Sequence, residues 1–218
     1  MKKYVFFLPL LFLFACHKQK KVGVDGELQA DYNFKTGSYW IYSDSVSGTT
    51  DSMYVAATSA DWAQKGCVLS AHATEYETIV ISLKRGNSSA NDSERWNIVM
   101  TENKLYLGFT NSSDAVASYM GPMPMFTYPI QTGDAPEVSS CVPKMDSGTV
   151  KEIAGYATDG NSYSNVAACT HVSKENGSTN YNDCYYACPN VGFVRMVFNH
   201  PADSVYRVLN LVRYHVVM

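Results

Sequence analysis

The sequence predicts an all-β domain of mainly antiparallel strands, arranged as a sandwich or a partly open barrel. Apolar and polar residues alternate with a period of two in several runs, which is typical of strands with one buried and one wet face. The chain contains sixteen tyrosines, nine phenylalanines and three tryptophans, and aromatic residues favour strands over helices. Clusters of glycine, asparagine and serine separate the runs, as expected of turns.

A first hairpin is predicted near the start of the domain. Residues 39–46 and residues 51–55 read as two strands, and the polar segment between them has its turn at Gly48.

The clearest alternation follows this hairpin. Ile79, Ile81 and Leu83 share one face of a predicted strand. Only Glu102-Asn103 separates the next two alternating runs, residues 96–100 and 105–109. These two runs are therefore predicted to form a tight hairpin.

The rest of the chain gives weaker patterns. Pro122 and Pro124 lack the amide hydrogen that a central strand donates, so residues 120–125 are not predicted as a central strand. The other predictions are a connection over residues 58–65 with a helical turn around Trp62, a strand at 67–72, an edge strand at 126–130, strands at 150–158 and 166–173 paired across the turn 159–161, a polar loop at 176–182, and a final antiparallel pair at 191–198 and 206–217.

The first residues have the parts of a secretory signal. Lys2 and Lys3 precede an apolar run over residues 4–14, and this run is too short for a bilayer, which needs about 20 residues. The predicted organisation is a signal peptide at residues 1–15, a flexible tether of low apolar content at 16–27, and a single β-rich domain at 28–218.

Leu13, Ala15 and Cys16 resemble the lipobox of bacterial lipoproteins, although Phe14 stands where a small residue is usual. The resemblance implies cleavage before Cys16 and acylation of its sulfur and its new amino terminus, which would anchor the domain stably because two or more acyl chains are present. The alternative is a plain signal peptide with an incidental cysteine. Basic residues follow Cys16, whereas an acidic run there marks export to the cell surface in similar lipoproteins. The predicted location is therefore the outer membrane, facing the periplasm.

Both ends of the domain resemble a broad group of uncharacterised Bacteroidetes lipoproteins. The similarity covers residues 36–45, with Gly-Ser-Tyr-Trp-Ile-Tyr, residues 51–55, and the closing segments 191–196 and 211–216. It does not cover the middle of the chain. The resemblance implies an envelope-anchored β domain and implies no activity.

The charge balance argues against nucleic acid as a partner. The whole chain has a formal net charge of −3. Removal of the signal takes away Lys2 and Lys3, so that the mature chain carries about −5. Nucleic-acid-binding domains are usually basic. The membrane, reached through the lipid anchor, is the only partner that the sequence predicts.

Five cysteines remain after Cys16, which is an odd number, so at least one thiol in a monomer is unpaired. An oxidising envelope favours disulfides, and the short spacing of Cys184 and Cys188 fits a loop disulfide. Free buried cysteines are the second alternative. The third is a zinc site, with Cys169, His171, Cys184 and Cys188 as weak candidate ligands. The candidates for disulfides are Cys67, Cys141, Cys169, Cys184 and Cys188.

No catalytic motif, phosphate loop, dinucleotide fingerprint or calcium loop occurs in the sequence. No cofactor and no catalytic residue are therefore predicted, and Glu75, Glu77 and Asp114 are unmarked candidates for a glycosidase pair. The favoured function is a non-enzymatic binding or interaction module. An envelope hydrolase with an unmarked site and a structural protein without a ligand are the alternatives. A lipocalin-like barrel, which could hold a small ligand in its mouth, is an analogy at most.

Overall fold

The computed structural model describes residues 20–64, 74–86, 94–111, 120–134, 148–175, 178–201 and 204–218. Strands dominate this part of the chain, and one short helix precedes most of them. The elements are β1 (Lys21–Val22), α1 (Gly26–Tyr32), β2 (Tyr39–Asp44), β3 (Thr50–Gln64), β4 (Glu75–Arg85), β5 (Glu94–Thr101), β6 (Lys104–Asn111), β7 (Met120–Thr127), β8 (Gly133–Asp134), β9 (Gly148–Thr158), β10 (Asn161–Glu175), β11 (Ser178–Cys188), β12 (Gly192–His200) and β13 (Val205–His215).

All of these strands belong to one sheet, which is antiparallel apart from the pairing of β1 with β4. The strand order is β7-β6-β5-β4-β3-β2-β13-β12-β11-β10-β9-β8. The sheet curls back on itself, because the ring of Trp96 on β5 contacts the ring of Phe198 on β12, with centroids 5.7 Å apart. The prediction of an all-β, partly open barrel is confirmed.

The alternating runs of the sequence supply the barrel interior. Ile79, Ile81 and Leu83 on β4 are buried, and each lies opposite a buried residue of β5. Burial of an aliphatic side chain of this size contributes about 1.5–3 kcal/mol. Glu102 makes the turn from β5 to β6 with φ of 53°, so the predicted tight hairpin is confirmed.

Three other predicted pairings are also confirmed. β2 and β3 form the first hairpin, with Gly48 in the turn at φ of 72°. β9 and β10 pair across Asp159 and Gly160. β12 and β13 form the closing pair, and β13 lies inside the sheet between β12 and β2.

The helix α1 closes one end of the barrel. Asp25 caps it by accepting hydrogen bonds from the amides of Glu27 and Leu28, each at 3.0 Å. Its buried Tyr32 ring lies 5.5 Å from the ring of Phe126 on β7. We call this end the helix end, and the opposite end, where β2 turns into β3, the open end.

The helix is also fixed to the strands by polar contacts. The Asp31 carboxylate accepts hydrogen bonds from the Tyr128 hydroxyl at 2.8 Å and from the Asn190 amide at 2.9 Å. These two residues follow β7 and β11, so one carboxylate joins the helix to both halves of the sheet.

The predicted flexible tether at residues 16–27 is wrong over residues 21–27. β4 extends beyond the end of β5 and leaves a free edge, and β1 pairs with this edge at Glu75 and Tyr76. The Asp25 amide donates to the Glu102 carbonyl at 2.6 Å. Backbone hydrogen bonds order this polar segment, and its low apolar content did not reveal them.

Three further predictions need correction. β3 continues through Trp62 to Gln64, paired with β4, where a connection with a helical turn was predicted. β11 begins at Ser178, inside the predicted loop 176–182, because pairing with β10 organises a polar segment. A strand also occurs where the prolines lie, since β7 contains both Pro122 and Pro124. It ends at Thr127, so most of the predicted edge strand at 126–130 is not a strand. β7 lies at one end of the strand order and is therefore an edge strand. The exclusion of a central strand is thus confirmed, and the strand at 67–72 lies outside the described residues.

Among the described residues, no helix is long and apolar enough to cross a membrane. Residues 1–19, which include the predicted signal peptide and Cys16, lie outside this part of the chain.

Candidate functional site

The middle of the barrel interior is filled by side chains. Aromatic rings from the segment after α1 and from β2 meet there, with the centroids of Phe34 and Trp40 only 5.1 Å apart. The gap that remains around them is too small for a water molecule. It is lined by Phe34, Trp40, Tyr42, Met53, Leu83, Ile98, Gly192 and Phe193. Two other regions carry polar or exposed groups in a regular arrangement, one inside the open end and one on the outer face.

The first region is a layer of charged side chains inside the open end. Asp44 on β2 and Asp51 on β3 are 1% and 4% exposed. The Arg207 guanidinium, on β13, lies between them, with Nε 3.0 Å from Asp44 Oδ2 and Nη2 3.6 Å from Asp51 Oδ2. Arg85 on β4 forms an ion pair with Asp51. Four neighbouring strands thus bring two buried carboxylates and two guanidinium groups together.

Asp44 also organises the turn between β2 and β3. Its Oδ1 accepts hydrogen bonds from the amides of Val46 at 3.0 Å and Ser47 at 3.4 Å. Burial alone would raise the pKa of Asp44, but the hydrogen bonds from Arg207 and these amides outweigh burial and hold the pKa at about 2. The carboxylate is therefore charged at all physiological pH values.

The layer continues onto β11 and β12. Asp183 is buried, and its carboxylate accepts from the Asn199 amide at 3.0 Å and the Tyr185 hydroxyl at 3.3 Å. The Nε2 atom of His200 lies 3.1 Å from both of its oxygens. The His200 side chain is 32% exposed, so this pair reaches the open end.

His171 on β10 lies opposite Asp183 in the strand register and is also buried. Its ring is 6.2 Å from the ring of Tyr185, and its Nε2 has no hydrogen-bond partner among the described residues. Burial lowers the pKa of His171 from 6.5 to about 4. This imidazole is therefore neutral near pH 7.

The charged groups of this layer mostly bind one another. Asp44 accepts a hydrogen bond from Arg207, and Asp51 forms an ion pair with Arg85. Asp183 accepts a hydrogen bond from the Tyr185 hydroxyl. Within the described part of the layer, the Asp183–His200 pair is an arrangement of a kind found in catalysis, where a carboxylate orients an imidazole that acts as a base.

The second region is a row of side chains on the outer face. His215, Tyr39, Tyr54 and Lys84 are consecutive partners across β13, β2, β3 and β4. All four are exposed, and the Tyr39 and Tyr54 side chains are 36% and 42% exposed. The rings of Tyr39 and His215 lie 5.8 Å apart with an angle of 32° between their planes. We call these four residues the aromatic row.

The row exists because of strand alternation. Trp40 and Tyr42 on β2 point into the core, so Tyr39 must point outward. The sequence already predicted these strands, but it did not reveal which tyrosines from different strands become neighbours. That signal is in the register of the strand pairing, and the predicted hairpin gave only that β2 pairs with β3.

The described cysteines are free thiols. Cys169, Cys184 and Cys188 form no disulfide, and the suggested pairing of Cys184 with Cys188 is excluded here, because both lie in β11. Four residues of strand separate their Cα atoms by about 13 Å, whereas a disulfide needs less than about 7 Å. Cys67 and Cys141 lie outside the described residues, and pairings that involve them stay predictions.

The two buried thiols, Cys169 and Cys188, are also poor nucleophiles. Burial raises the pKa of Cys169 well above its ordinary value. Burial raises the pKa of Cys188 to about 11. Both thiols are protonated near pH 7.

The weak zinc candidates do not converge. Cys169 and His171 point into the barrel, whereas Cys184 lies opposite Thr170 and so points to the other face. No group of three or more metal-ligating side chains occurs in the part of the chain that the structure describes.

The two described glycosidase candidates, Glu75 and Glu77, both contact the N-terminal segment. Glu75 forms an ion pair with Lys21 at 3.3 Å, and Glu77 accepts from the Val24 amide at 3.1 Å. Both therefore hold the N-terminal segment on β4. Asp114 lies outside the described residues.

Comparison of this chain with known protein families, with curated proteins and with solved structures finds no match. The proposals below therefore rest on the geometry of the charged layer and of the aromatic row.

Proposed function

We propose that this protein is a lipid-anchored, non-enzymatic binding module of a bacterial cell envelope, and that the aromatic row is its recognition surface. The observation that carries the proposal is the row itself, which places two exposed tyrosine rings and an exposed imidazole side by side on the outer face of the sheet. Exposed aromatic groups that lie next to each other are typical of binding surfaces.

The filled interior supports the same proposal. A barrel that carries a small ligand needs a cavity lined by apolar groups, but aromatic side chains occupy the middle of this one. The buried carboxylates of the charged layer are held by Arg207, Arg85 and His200. These contacts suit a rigid scaffold that presents its outer face to a partner.

The anchor would be the acylated Cys16. Four residues of chain separate Cys16 from β1, so β1 would lie within about 18 Å of Cys16, which is five residue steps of an extended chain. The aromatic row crosses β4 at Lys84, nine residues from Glu75, where β1 pairs, and this spacing is about 30 Å along a strand. It would therefore remain accessible to a partner in the envelope.

Replacement of Cys16 with serine is expected to move the protein from the membrane fraction to a soluble envelope fraction, because the acyl chains that hold it would be lost. The measurement is fractionation of cells followed by carbonate washing. Cys184→Ser is the matched control and should leave the protein on the membrane. If the Cys16→Ser protein stays in the washed membranes, the anchor is not at Cys16.

The double substitution Tyr39→Ala/Tyr54→Ala is expected to weaken binding to the envelope partner at least tenfold. Each aromatic contact contributes about 0.5–1.5 kcal/mol beyond its buried area, and 1.4 kcal/mol corresponds to about tenfold in affinity. The measurement is binding of the purified full chain in detergent to a panel of envelope polysaccharides, peptidoglycan fragments and envelope proteins. Tyr206→Ala is the control, because Tyr206 is 54% exposed but lies outside the row. Equal binding by both variants would contradict the proposal.

A second candidate function is an envelope hydrolase that uses the Asp183–His200 pair. Its supporting observation is the contact of His200 Nε2 with both carboxylate oxygens at the open end. Such an enzyme would lose hydrolysis of an ester or glycoside substrate in His200→Gln and keep it in Tyr39→Ala. A binding module would instead lose partner binding in Tyr39→Ala and keep it in His200→Gln.

A further inference from the structure

We propose that the ligand of the aromatic row is an acidic polysaccharide, that is, a sugar chain with carboxylate groups. This inference rests on the proposed function and adds the ligand class. It is drawn from the charge and the spacing of the outward-facing side chains around the row.

The outer face around the row is cationic, although the whole chain has a net charge of −3. Lys84 is a member of the row, and Arg213 lies two residues before His215 on β13, opposite Ile41 on β2. Both are exposed, and neither forms an ion pair with a carboxylate of the described residues. His215 adds an imidazole N–H that can donate a hydrogen bond to a carboxylate.

The acidic residues of these strands do not offset this charge. Asp44 and Asp51 point into the barrel and are paired with arginines there. Asp61 faces outward on β3, but it lies seven residues from Tyr54, which corresponds to about 23 Å along a strand. Asp159 lies at the turn after β9, next to Thr158, whose hydroxyl donates to Asn210 of β13 at 3.2 Å. Asn210 lies three residues from Arg213 and five residues from His215 on β13.

The dimensions of the row fit an extended chain of sugars. Its four members lie on adjacent strands, so the row spans about 14 Å in steps of about 4.8 Å. A step of this size is close to the length of one pyranose unit in a polysaccharide. Successive sugars can therefore stack their apolar faces on Tyr39 and Tyr54 while carboxylates reach the cationic groups at the two ends.

The two kinds of contact have separate roles. Aromatic rings bind the apolar face of a sugar whatever its charge. The Lys84 ammonium and the Arg213 guanidinium form charge-assisted hydrogen bonds with carboxylates, and the guanidinium does so with two parallel bonds. A neutral sugar chain would leave both cations without a partner in the complex, so the cations select for acidic chains.

The test measures binding of the full chain in detergent micelles to polygalacturonate, alginate and heparin by titration calorimetry. Fully methyl-esterified polygalacturonate is the matched neutral ligand. At least one acidic polymer should bind at least tenfold more tightly than the neutral ligand, and its affinity should fall as salt rises from low to physiological concentration. The substitution Lys84→Gln/Arg213→Gln should weaken this binding at least tenfold.

The control substitution is Lys20→Gln/Lys151→Gln, which removes the same charge from two exposed lysines outside the row. It should leave the affinity unchanged. The proposal is overturned if the control variant loses as much affinity as Lys84→Gln/Arg213→Gln, since binding would then follow net charge alone. It is also overturned if no acidic polymer binds.

Failure of this inference can be told apart from failure of the proposed function. Binding of a neutral polymer or an envelope protein that depends on Tyr39 and Tyr54, but not on Lys84 and Arg213, rejects the acidic polysaccharide and keeps the binding module. Absence of any partner that depends on Tyr39 and Tyr54 rejects both.

Discussion

Replacing Asp44 with alanine is expected to lower the free energy of unfolding by about 3–5 kcal/mol. The substitution breaks a buried ion pair and leaves the Arg207 guanidinium without its closer carboxylate, and such losses cost about that much. It also removes the acceptor for the amides of Val46 and Ser47 in the turn. The measurement is urea denaturation at pH 7, followed by tryptophan fluorescence.

Two other variants separate these causes. Asp44→Asn keeps an oxygen that can accept from the turn amides but removes the charge, so the difference between Asp44→Ala and Asp44→Asn measures the turn contribution. Asp61→Ala is the control, because Asp61 is exposed and its carboxylate accepts from the adjacent Trp62 amide. It should change stability by less than about 0.5 kcal/mol. If Asp44→Ala is no less stable than Asp61→Ala, the charged layer does not stabilise the fold.

The strands that were predicted well from the sequence are those with one clearly apolar face and one clearly polar face. Ile79, Ile81 and Leu83 alternate with polar residues, and all three are buried in the barrel. Turn residues added a second signal, since Gly48 adopts a positive φ of 72° in the first hairpin. Where burial and turn chemistry act together, a single sequence is enough to give the strand, its buried face and its partner.

The elements that the sequence did not give are held by contacts with distant segments. β1 has only two residues and exists because β4 leaves an edge free. β11 begins in a polar segment that pairs with β10, and its first residues carry no apolar alternation. Backbone hydrogen bonds between strands do not depend on side-chain type, so composition cannot reveal them.

The charged layer was missed for a related reason. Asp44, Asp51 and Arg207 look like ordinary surface residues of strands, because charged residues are rarely buried without a partner. Their partners come from strands far apart in sequence, such as Asp44 on β2 and Arg207 on β13. Only the pairing of β2 with β13 brings these opposite charges together, and a pattern within one strand cannot show it.

The burial of His171 inside the barrel makes it a source of pH dependence. The unfolded chain binds a proton at His171 near pH 6.5, whereas burial lowers the pKa in the folded protein to about 4. Between these values the unfolded state binds more protons than the folded state, so acid favours unfolding. Stability from this group is fully present above pH 6.5 and is lost as the pH falls towards 4. The full loss is about 3 kcal/mol.

This window is separate from that of Asp44, whose pKa is about 2 in the folded protein against an ordinary value of 3.8. Asp44 contributes stability that is present above pH 3.8 and lost as the pH falls towards 2. A measurement between pH 7.5 and pH 5 therefore reports on His171 without a contribution from Asp44. About 2 kcal/mol of the His171 effect should be lost over this interval.

The substitution His171→Leu should abolish that loss, because an apolar side chain in the same place has no proton to bind. The free energy of unfolding of this variant at pH 7.5 should be within about 1 kcal/mol of that of the original protein. The reason is that the His171 Nε2 has no hydrogen-bond partner among the described residues, so its removal breaks no hydrogen bond. At pH 5 the variant should be the more stable protein. His215→Gln is the control, because His215 is exposed on the outer face, and it should keep the full pH dependence. If His171→Leu and the original protein lose stability in parallel between pH 7.5 and pH 5, another group senses the acid, and the burial of His171 is not the cause.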